Sequence, residues 1–443
     1  MENAVKDWRG RSYRPGPVPA DRRSMFRLAL AAMAAIGPLQ YGYAALHARE
    51  AAGLTLLAVW IACQAAGALP ALHLVRRRRL SVRAALTAGA ALSGLGLAAA
   101  ALAGPGFGLV ALVGYAVLGG LGAGLVYGVC GEVVSSWYPE RPAARVGLIT
   151  GAFGYGAVPL LVWTGLAPGA AEAAFLVAAL LATAVIGAAA RRLRLPEPLW
   201  WPDDLDPRTH ALDAARLRTA PEAVKQFGLA QAVRTRTLPA LALMLTCAGA
   251  VSLLDVIVVA STGAWGALAL LVALNGAGRA VAMRASELYG RRRVLAAVFG
   301  ALALGQVLLA VAVQNATAVA AQNATAVGVQ NAIAVGVQSA TVQGAAGDLL
   351  LWLGAAAAGL GGGAFYPLLA SLVRELFGTE RATEIHAVVY SAKAVAGALA
   401  VALALAALTA PGTALLAAAA LAVLPALATP RLRIPGLPAT IPL

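Results

Sequence analysis

The chain has 443 residues, of which 60% are apolar and only 12% charged, and its formal net charge is +15. The charges sit in short islands, which excludes an ordinary soluble domain. The apolar stretches between them reach the roughly 20 residues that a helix needs to cross a bilayer. Those stretches are Ala- and Leu-rich without period-two alternation, which argues against a barrel and for helices.

Residues 1–24 are polar and Arg-rich, with no apolar core before Met25. They predict a cytoplasmic tail rather than a cleavable signal. Six spans follow, near 25–47, 53–75, 82–103, 106–134, 144–167 and 170–190. Residues 191–238 carry mixed charge and Pro196, Pro198, Pro202 and Pro207, the composition of a cytoplasmic linker. Six further spans lie near 239–262, 264–286, 294–312, 348–373, 385–408 and 412–430, ahead of a tail at 431–443. A turn at Thr262–Gly263 separates the first two of these. The prediction is therefore an all-α membrane protein of twelve transmembrane helices, with halves at 25–190 and 239–430. Cys63, Cys130 and Cys247 fall inside spans at spacings that suit neither zinc nor a disulfide, so they read as small buried apolar residues. Neither a metal nor a cofactor is expected.

Between the ninth and tenth spans, residues 313–346 hold four near-identical octads, VQNATAVA, AQNATAVG, VQNAIAVG and VQSATVQG. An eight-residue period drifts about 80° per repeat on a 3.6-residue helix and holds no constant face. The segment reads as a slippage-expanded periplasmic loop without function.

The net charge of +15 suggests nucleic acid until the cations are sorted by side. With a cytoplasmic N-terminus, all of the 34 Lys and Arg except Arg49, Arg279 and Lys393 fall on the cytoplasmic side. That is the asymmetry of the positive-inside rule; it places both termini in the cytoplasm and leaves no basic charge for nucleic acid to explain. The expected setting is a bacterial inner membrane, with the lipid bilayer as surroundings and a monomeric chain.

The halves echo one another. GGLGAGLVYG before SSWYPERPAAR returns about 240 positions later as GLGGGAFYP before RELFGTERATE, aligning Tyr127 with Tyr366 and Glu140–Arg141 with Glu380–Arg381. Parallel repeats with a site between them at mid-membrane are the expected arrangement.

Two cations remain inside the hydrocarbon. Arg279 lies roughly 11 Å above the cytoplasmic end of its span and Lys393 roughly 12 Å above the start of its own, so they share a level. Asp255 is at roughly 24 Å, a poor partner for either, and Glu132 and Asp348 lie near helix ends. An intramembrane charge costs several kcal/mol unless compensated, so an anion from outside the chain is the economical partner. Helix-end carbonyls around Arg279, or loss of the proton from Lys393, are the alternatives. Asp255 and Lys393 are also the groups that suit proton coupling. Gln40, Tyr41, Tyr127, Tyr155, Tyr366 and Tyr390 are the polar and aromatic residues that suit a cage for a small carboxylate, although a lone tyrosine is more often packing.

Four segments carry a resemblance: GPLQYGYAAL, SSWYPERPAARVGLITGAFGYGAV, NGAGRAVAMRASELYGRRRVL and VVYSAKAVAG. In these the chain resembles the oxalate/formate antiporter family of the major facilitator superfamily. The resemblance implies the major facilitator fold, two pseudo-symmetric halves of six helices. It also implies that Arg279 and Lys393 hold substrate carboxylates, with Gln40, Tyr41, Tyr127 and Tyr155 in an aromatic cage. LVRRRRLSVR stands where the superfamily carries an acidic residue between its second and third helices, and the octads have no counterpart.

The leading expectation is a secondary transporter of small mono- or dicarboxylates, working by exchange. Proton-coupled monocarboxylate symport, drug efflux, and a non-transporting receptor or scaffold remain as alternatives. Enzymatic activity is not expected, because His47, His73, His210 and His386 are scattered and join no nucleophile or metal constellation.

Overall fold

The computed structural model describes residues 4–8, 10–47, 50–102, 108–213, 217, 221, 223–326 and 345–436. Twelve of its helices are long and apolar enough to cross a membrane. In the first half these are α1 (Arg22–His47), α2 (Ala51–Arg76), α3 (Val82–Leu102), α4 (Val110–Trp137), α5 (Pro142–Leu166) and α6 (Pro168–Arg192). In the second they are α7 (Thr237–Ser261), α8 (Trp265–Tyr289), α9 (Arg291–Ala316), α10 (Asp348–Phe377), α11 (Ala382–Ala407) and α12 (Pro411–Arg431). The expected break between α7 and α8 turns on Gly263, whose φ of +76° favours glycine.

The packing repeats with an offset of six helices. α2 lies on α4 as α8 lies on α10, α3 on α6 as α9 on α12, and α1 on α5 as α7 on α11. The sequence echo thus has a structural counterpart. The halves meet along α5–α8 and α2–α11, with the end of α1 against α7. At the α5–α8 crossing a Cβ added to Gly151 would lie 2.7 Å from the carbonyl oxygen of Gly276. Only glycine admits so close an approach of two backbones.

Two helices are locally irregular where the sequence requires it. Pro38 lacks the N–H for an intrahelical bond, and α1 widens to a π-type turn over Pro38–Gly42. That turn carries Gln40 and Tyr41, both buried. Pro159 has the same effect in α5, which is interrupted between Tyr155 and Val158.

Two features differ from the sequence reading. The N-terminal tail is ordered as strands β1 (Val5–Lys6) and β2 (Ser12–Gly16), which pair antiparallel. β2 then pairs in parallel with β3 (Trp200–Pro202) from the linker. Trp137 at the end of α4 anchors this sheet: its Nε1 donates to the Arg194 carbonyl at 2.7 Å and its ring meets Trp200 edge-on at 4.9 Å. Tail and linker therefore cover one end of the first half together. Strands this short, with prolines in two of them, leave no alternation to detect. The second difference is that the helix of α9 continues to Ala326, through the first octad and into the next. Ala and Gln are good helix formers, and lengthening an existing helix needs no new nucleus. Residues 327–344, the rest of the expected loop, lie outside the described residues.

Gly151→Ala should lower the thermal unfolding midpoint of the purified protein, because overpacking costs about 1–3 kcal/mol. Gly187→Ala, where the added Cβ meets nothing within 4 Å, should not lower it. Equal midpoints for both variants would contradict the backbone contact at the α5–α8 crossing.

Candidate carboxylate site

On α8, Asn275 and Arg279 stand one turn apart and face the junction of the halves. Arg279 is 3% exposed. Its Nη1 donates to the Thr150 carbonyl of α5 at 2.9 Å and its Nη2 to the Asn275 Oδ1 at 3.2 Å. The same Oδ1 accepts from the Tyr41 hydroxyl at 3.0 Å, while the Asn275 Nδ2 donates to the Ser252 Oγ of α7 at 3.3 Å. The Arg279 Nε is buried without a partner among the described residues. Arg279 thus ties α8 to α5, and Asn275 ties it to α1 and α7.

Lys393 on α11 is 6% exposed and is held by amides of the first half. Its Nζ donates to the Gln40 Oε1 of α1 at 3.2 Å and to the Gln64 Oε1 of α2. The rings of Phe153, Tyr366 and Tyr390 each have their centres 5.8 Å from this nitrogen. The Tyr366 ring is shared, since the Arg279 Cζ lies 5.3 Å from its centre. The two cations therefore flank one ring, in keeping with the common depth expected from sequence. Tyr127 and Tyr366, which align in the internal echo, sit on either side of Tyr390 with ring centres 5.4 and 6.4 Å from it.

Beneath these tyrosines, toward the end of the bundle where the termini lie, is a cavity of about 110 Å³. It is lined by Tyr127, Tyr366 and Tyr390 at one side and by Glu132, Arg374 and His386 at the other. Among the described residues the Tyr390 hydroxyl makes no hydrogen bond of good geometry, its polar neighbour being the Tyr127 phenol. Its position on the cavity wall allows that hydroxyl to turn and donate to an incoming oxyanion.

No carboxylate of the described residues pairs with Arg279 or Lys393; both are compensated only by neutral oxygens. The acids are committed elsewhere: Asp255 to Gln306, Glu132 to the Ser136 hydroxyl, Glu140 to Arg22 and Glu375 to Arg291. Neutral acceptors offset only part of the cost of burying a cation. The arrangement is chemically suited to an anion.

Of the expected site residues, Gln40, Tyr41, Tyr127, Tyr366 and Tyr390 are assembled around Arg279 and Lys393. Tyr155 is not. It is 46% exposed, and its ring lies over Gly276 at the rim of the α5–α8 crossing. Phe153, two residues earlier and so on the opposite side of α5, takes the inward place and contacts Tyr41 with ring centres 5.4 Å apart. Asp255 also lies apart from the two cations, joined to Gln306 of α9. Gln64, Ser252, Asn275 and Phe153 belong to the site and were not singled out from sequence. Gln64 and Asn275 are visible in the sequence as amides in the middle of their spans, but nothing there shows their partners.

No family model matches the chain, and no curated protein sequence matches it. Among solved structures it is similar to a POT family transporter in complex with 5-aminolevulinic acid, with a TM-score of 0.61 at 13% identity over 93% of this chain and 96% of that one. It is also similar to the E. coli fucose:proton symporter, with a TM-score of 0.58 at 15% identity over 93% and 99%. The nucleoside transporter NupG gives a TM-score of 0.59 at 13% identity, again over 93% and 99%. Similarity at such low identity speaks to architecture, and the architecture is the major facilitator fold: twelve membrane helices in two pseudo-symmetric halves.

Proposed function

We propose that the chain is a secondary transporter that moves a small organic anion, a mono- or dicarboxylate, by alternating access between its two halves. The observation that carries this reading is the pair of buried cations, Arg279 and Lys393, facing one tyrosine ring without a carboxylate partner among the described residues. The fold likeness to transporters supports transport over catalysis. Tyr127, Tyr366, Tyr390 and Phe153 supply walls of a size suited to a small substrate, and the Tyr390 hydroxyl supplies a donor. The distribution of basic residues supports an inner membrane with both termini in the cytoplasm.

The mechanism follows from where the hydrogen bonds run. Both cations belong to the second half, and each donates to first-half acceptors: Arg279 to Thr150, Lys393 to Gln40 and Gln64. A carboxylate between them takes over these donors as charge-assisted bonds, which are stronger than bonds to neutral oxygens. Binding therefore loosens cross-half ties while neutralising the cations. A loaded carrier passes through its closed state more easily than an empty one, because closure removes the water that solvates unneutralised charge. That difference favours exchange; proton-coupled symport of a monocarboxylate is the alternative mode.

Three outcomes test this reading. Arg279→Gln and Lys393→Gln should each abolish the thermal stabilisation that oxalate, formate or succinate confers on the purified protein. Full retention in both variants would refute the site. Asn275→Asp places a carboxylate on the residue that already accepts from Arg279, and this internal counter-ion should weaken binding of the same anions by tenfold or more, about 1.4 kcal/mol. Unchanged affinity would show that Arg279 does not hold the ligand. Finally, efflux of labelled substrate from proteoliposomes should accelerate when unlabelled substrate is present outside. Equal rates with and without it would exclude obligatory exchange.

A further inference from the structure

A second polar pair lies in the second half, separate from the two cations. Asp255 of α7 and Gln306 of α9 are both 0% exposed. The Gln306 Nε2 donates to the Asp255 Oδ1, and the remaining oxygens of the pair, Asp255 Oδ2 and Gln306 Oε1, have no partner among the described residues. Away from helix ends, the ionisable side chains on helices packed against α7 are Tyr41 and Tyr43 of α1, Arg279 of α8, Tyr366 of α10, and Tyr390 and Lys393 of α11. His47 closes α1, while the charges of α9 and α12 lie in terminal turns. None of these groups makes a hydrogen bond or ion pair with Asp255 among the described residues.

An ionised carboxylate only accepts hydrogen bonds, and an amide oxygen only accepts them. With Asp255 ionised, this pair therefore holds two buried acceptors without donors and a charge with no counter-ion, a combination costing several kcal/mol. Exchanging the amide oxygen and nitrogen of Gln306 does not remove the shortage, because the amide oxygen still lacks a donor. A single proton on the Asp255 Oδ2 removes all three faults. A hydroxyl at Oδ2 is a donor of the kind the Gln306 Oε1 lacks, and the amide still donates to the Oδ1, so the pair becomes a neutral acid and amide.

We infer that Asp255 and Gln306 form a proton-binding site, occupied in this conformation and distinct from the carboxylate site. Its placement gives it a role. Ser252, which accepts from Asn275 in the Arg279 network, lies three residues before Asp255 on the same helix. A movement of α7 that accompanies release of Arg279 from its first-half partners also moves Asp255 against α9. The proton then exchanges with solvent in one conformation and is sealed in the other, which couples proton movement to the transport cycle. This last step rests on the transport reading above; the proton site itself does not.

The test begins without substrate, by infrared spectroscopy of the reconstituted full chain at neutral pH. A carbonyl stretch of a protonated carboxylic acid is expected, shifted by 13C-labelled aspartate and missing in Asp255→Asn. Among the aspartates Asp255 is the one in mid-span, so the isotope shift assigns the band even if the variant fails to fold. Asp255→Asn should otherwise unfold at the wild-type temperature, since its amide donates where the acid hydroxyl did, whereas Asp255→Leu should unfold earlier. Absence of an aspartic acid band in the wild type overturns the proton site. For coupling, in proteoliposomes preloaded with unlabelled carboxylate an imposed pH gradient should raise accumulation of labelled carboxylate above its equal-pH level in the wild type and not in Asp255→Asn, while counterflow at equal pH persists in both. Gradient-driven accumulation that survives in Asp255→Asn overturns the coupling role. Absence of counterflow in the wild type strikes the carboxylate reading instead, leaving the infrared result intact.

Discussion

A cation buried in a membrane must be compensated, and most of this structure is arranged around that requirement. Arg279 and Lys393 sit at a depth where water does not reach them freely, so their donors must find acceptors in protein or ligand. The acceptors they find are one main-chain carbonyl and three side-chain amides. Except for Asn275, these come from the opposite half. The compensation that keeps the cations tolerable is thus the same set of contacts that joins the halves. Any ligand that compensates them better must change how the halves are joined.

The helix geometry makes such competition possible. The Gly151–Gly276 approach brings α5 close enough to α8 for a side chain of α8 to reach the Thr150 carbonyl. The π-type turn at Pro38 directs Gln40 and Tyr41 to the same junction. In the first half Tyr127 mirrors Tyr366 of the second, and both bear on Tyr390, so the internal repeat leaves matched rings on the two sides of the site. The cations break that symmetry, because both belong to the second half. The first half supplies neutral acceptors and walls. It is the second half that carries the charge to be neutralised.

Much of this was legible in the amino-acid sequence because membranes impose strong constraints on composition. Twelve spans, their division by a charged linker, and two stranded cations follow from where charge is tolerated. What could not be read was direction. Tyr155 and Phe153 differ by two positions, and sequence chemistry favoured the phenol; the interruption at Pro159 and the packing of α5 on α8 decided for the phenyl ring. Gln64 was overlooked because one amide on α2 has no meaning until Lys393 is brought to it from 329 positions away. The three-stranded sheet was hidden for a related reason: its pairing joins Arg14 to Trp200 through registers that only the folded tail and linker create. The helical start of the octads shows that a period unsuited to one packed face does not by itself end a helix.

The two buried polar groupings of the second half answer the same constraint by different chemistry. Arg279 cannot shed its charge under any ordinary condition, so it must always be offered acceptors. A carboxyl group such as Asp255 has another course: it takes up a proton and becomes a neutral donor and acceptor suited to an amide. The permanent cation therefore suits recognition of a permanent anion, and the titratable acid suits storage of a mobile proton. Ser252 and Asp255 place both chemistries within one turn of α7, joined on one side to α8 through Asn275 and on the other to α9 through Gln306. A rigid helix holding these two attachments cannot shift at one without straining the other. In the proposed cycle, substrate charge and proton charge thus bear on a single helix, although no hydrogen bond among the described residues runs between them.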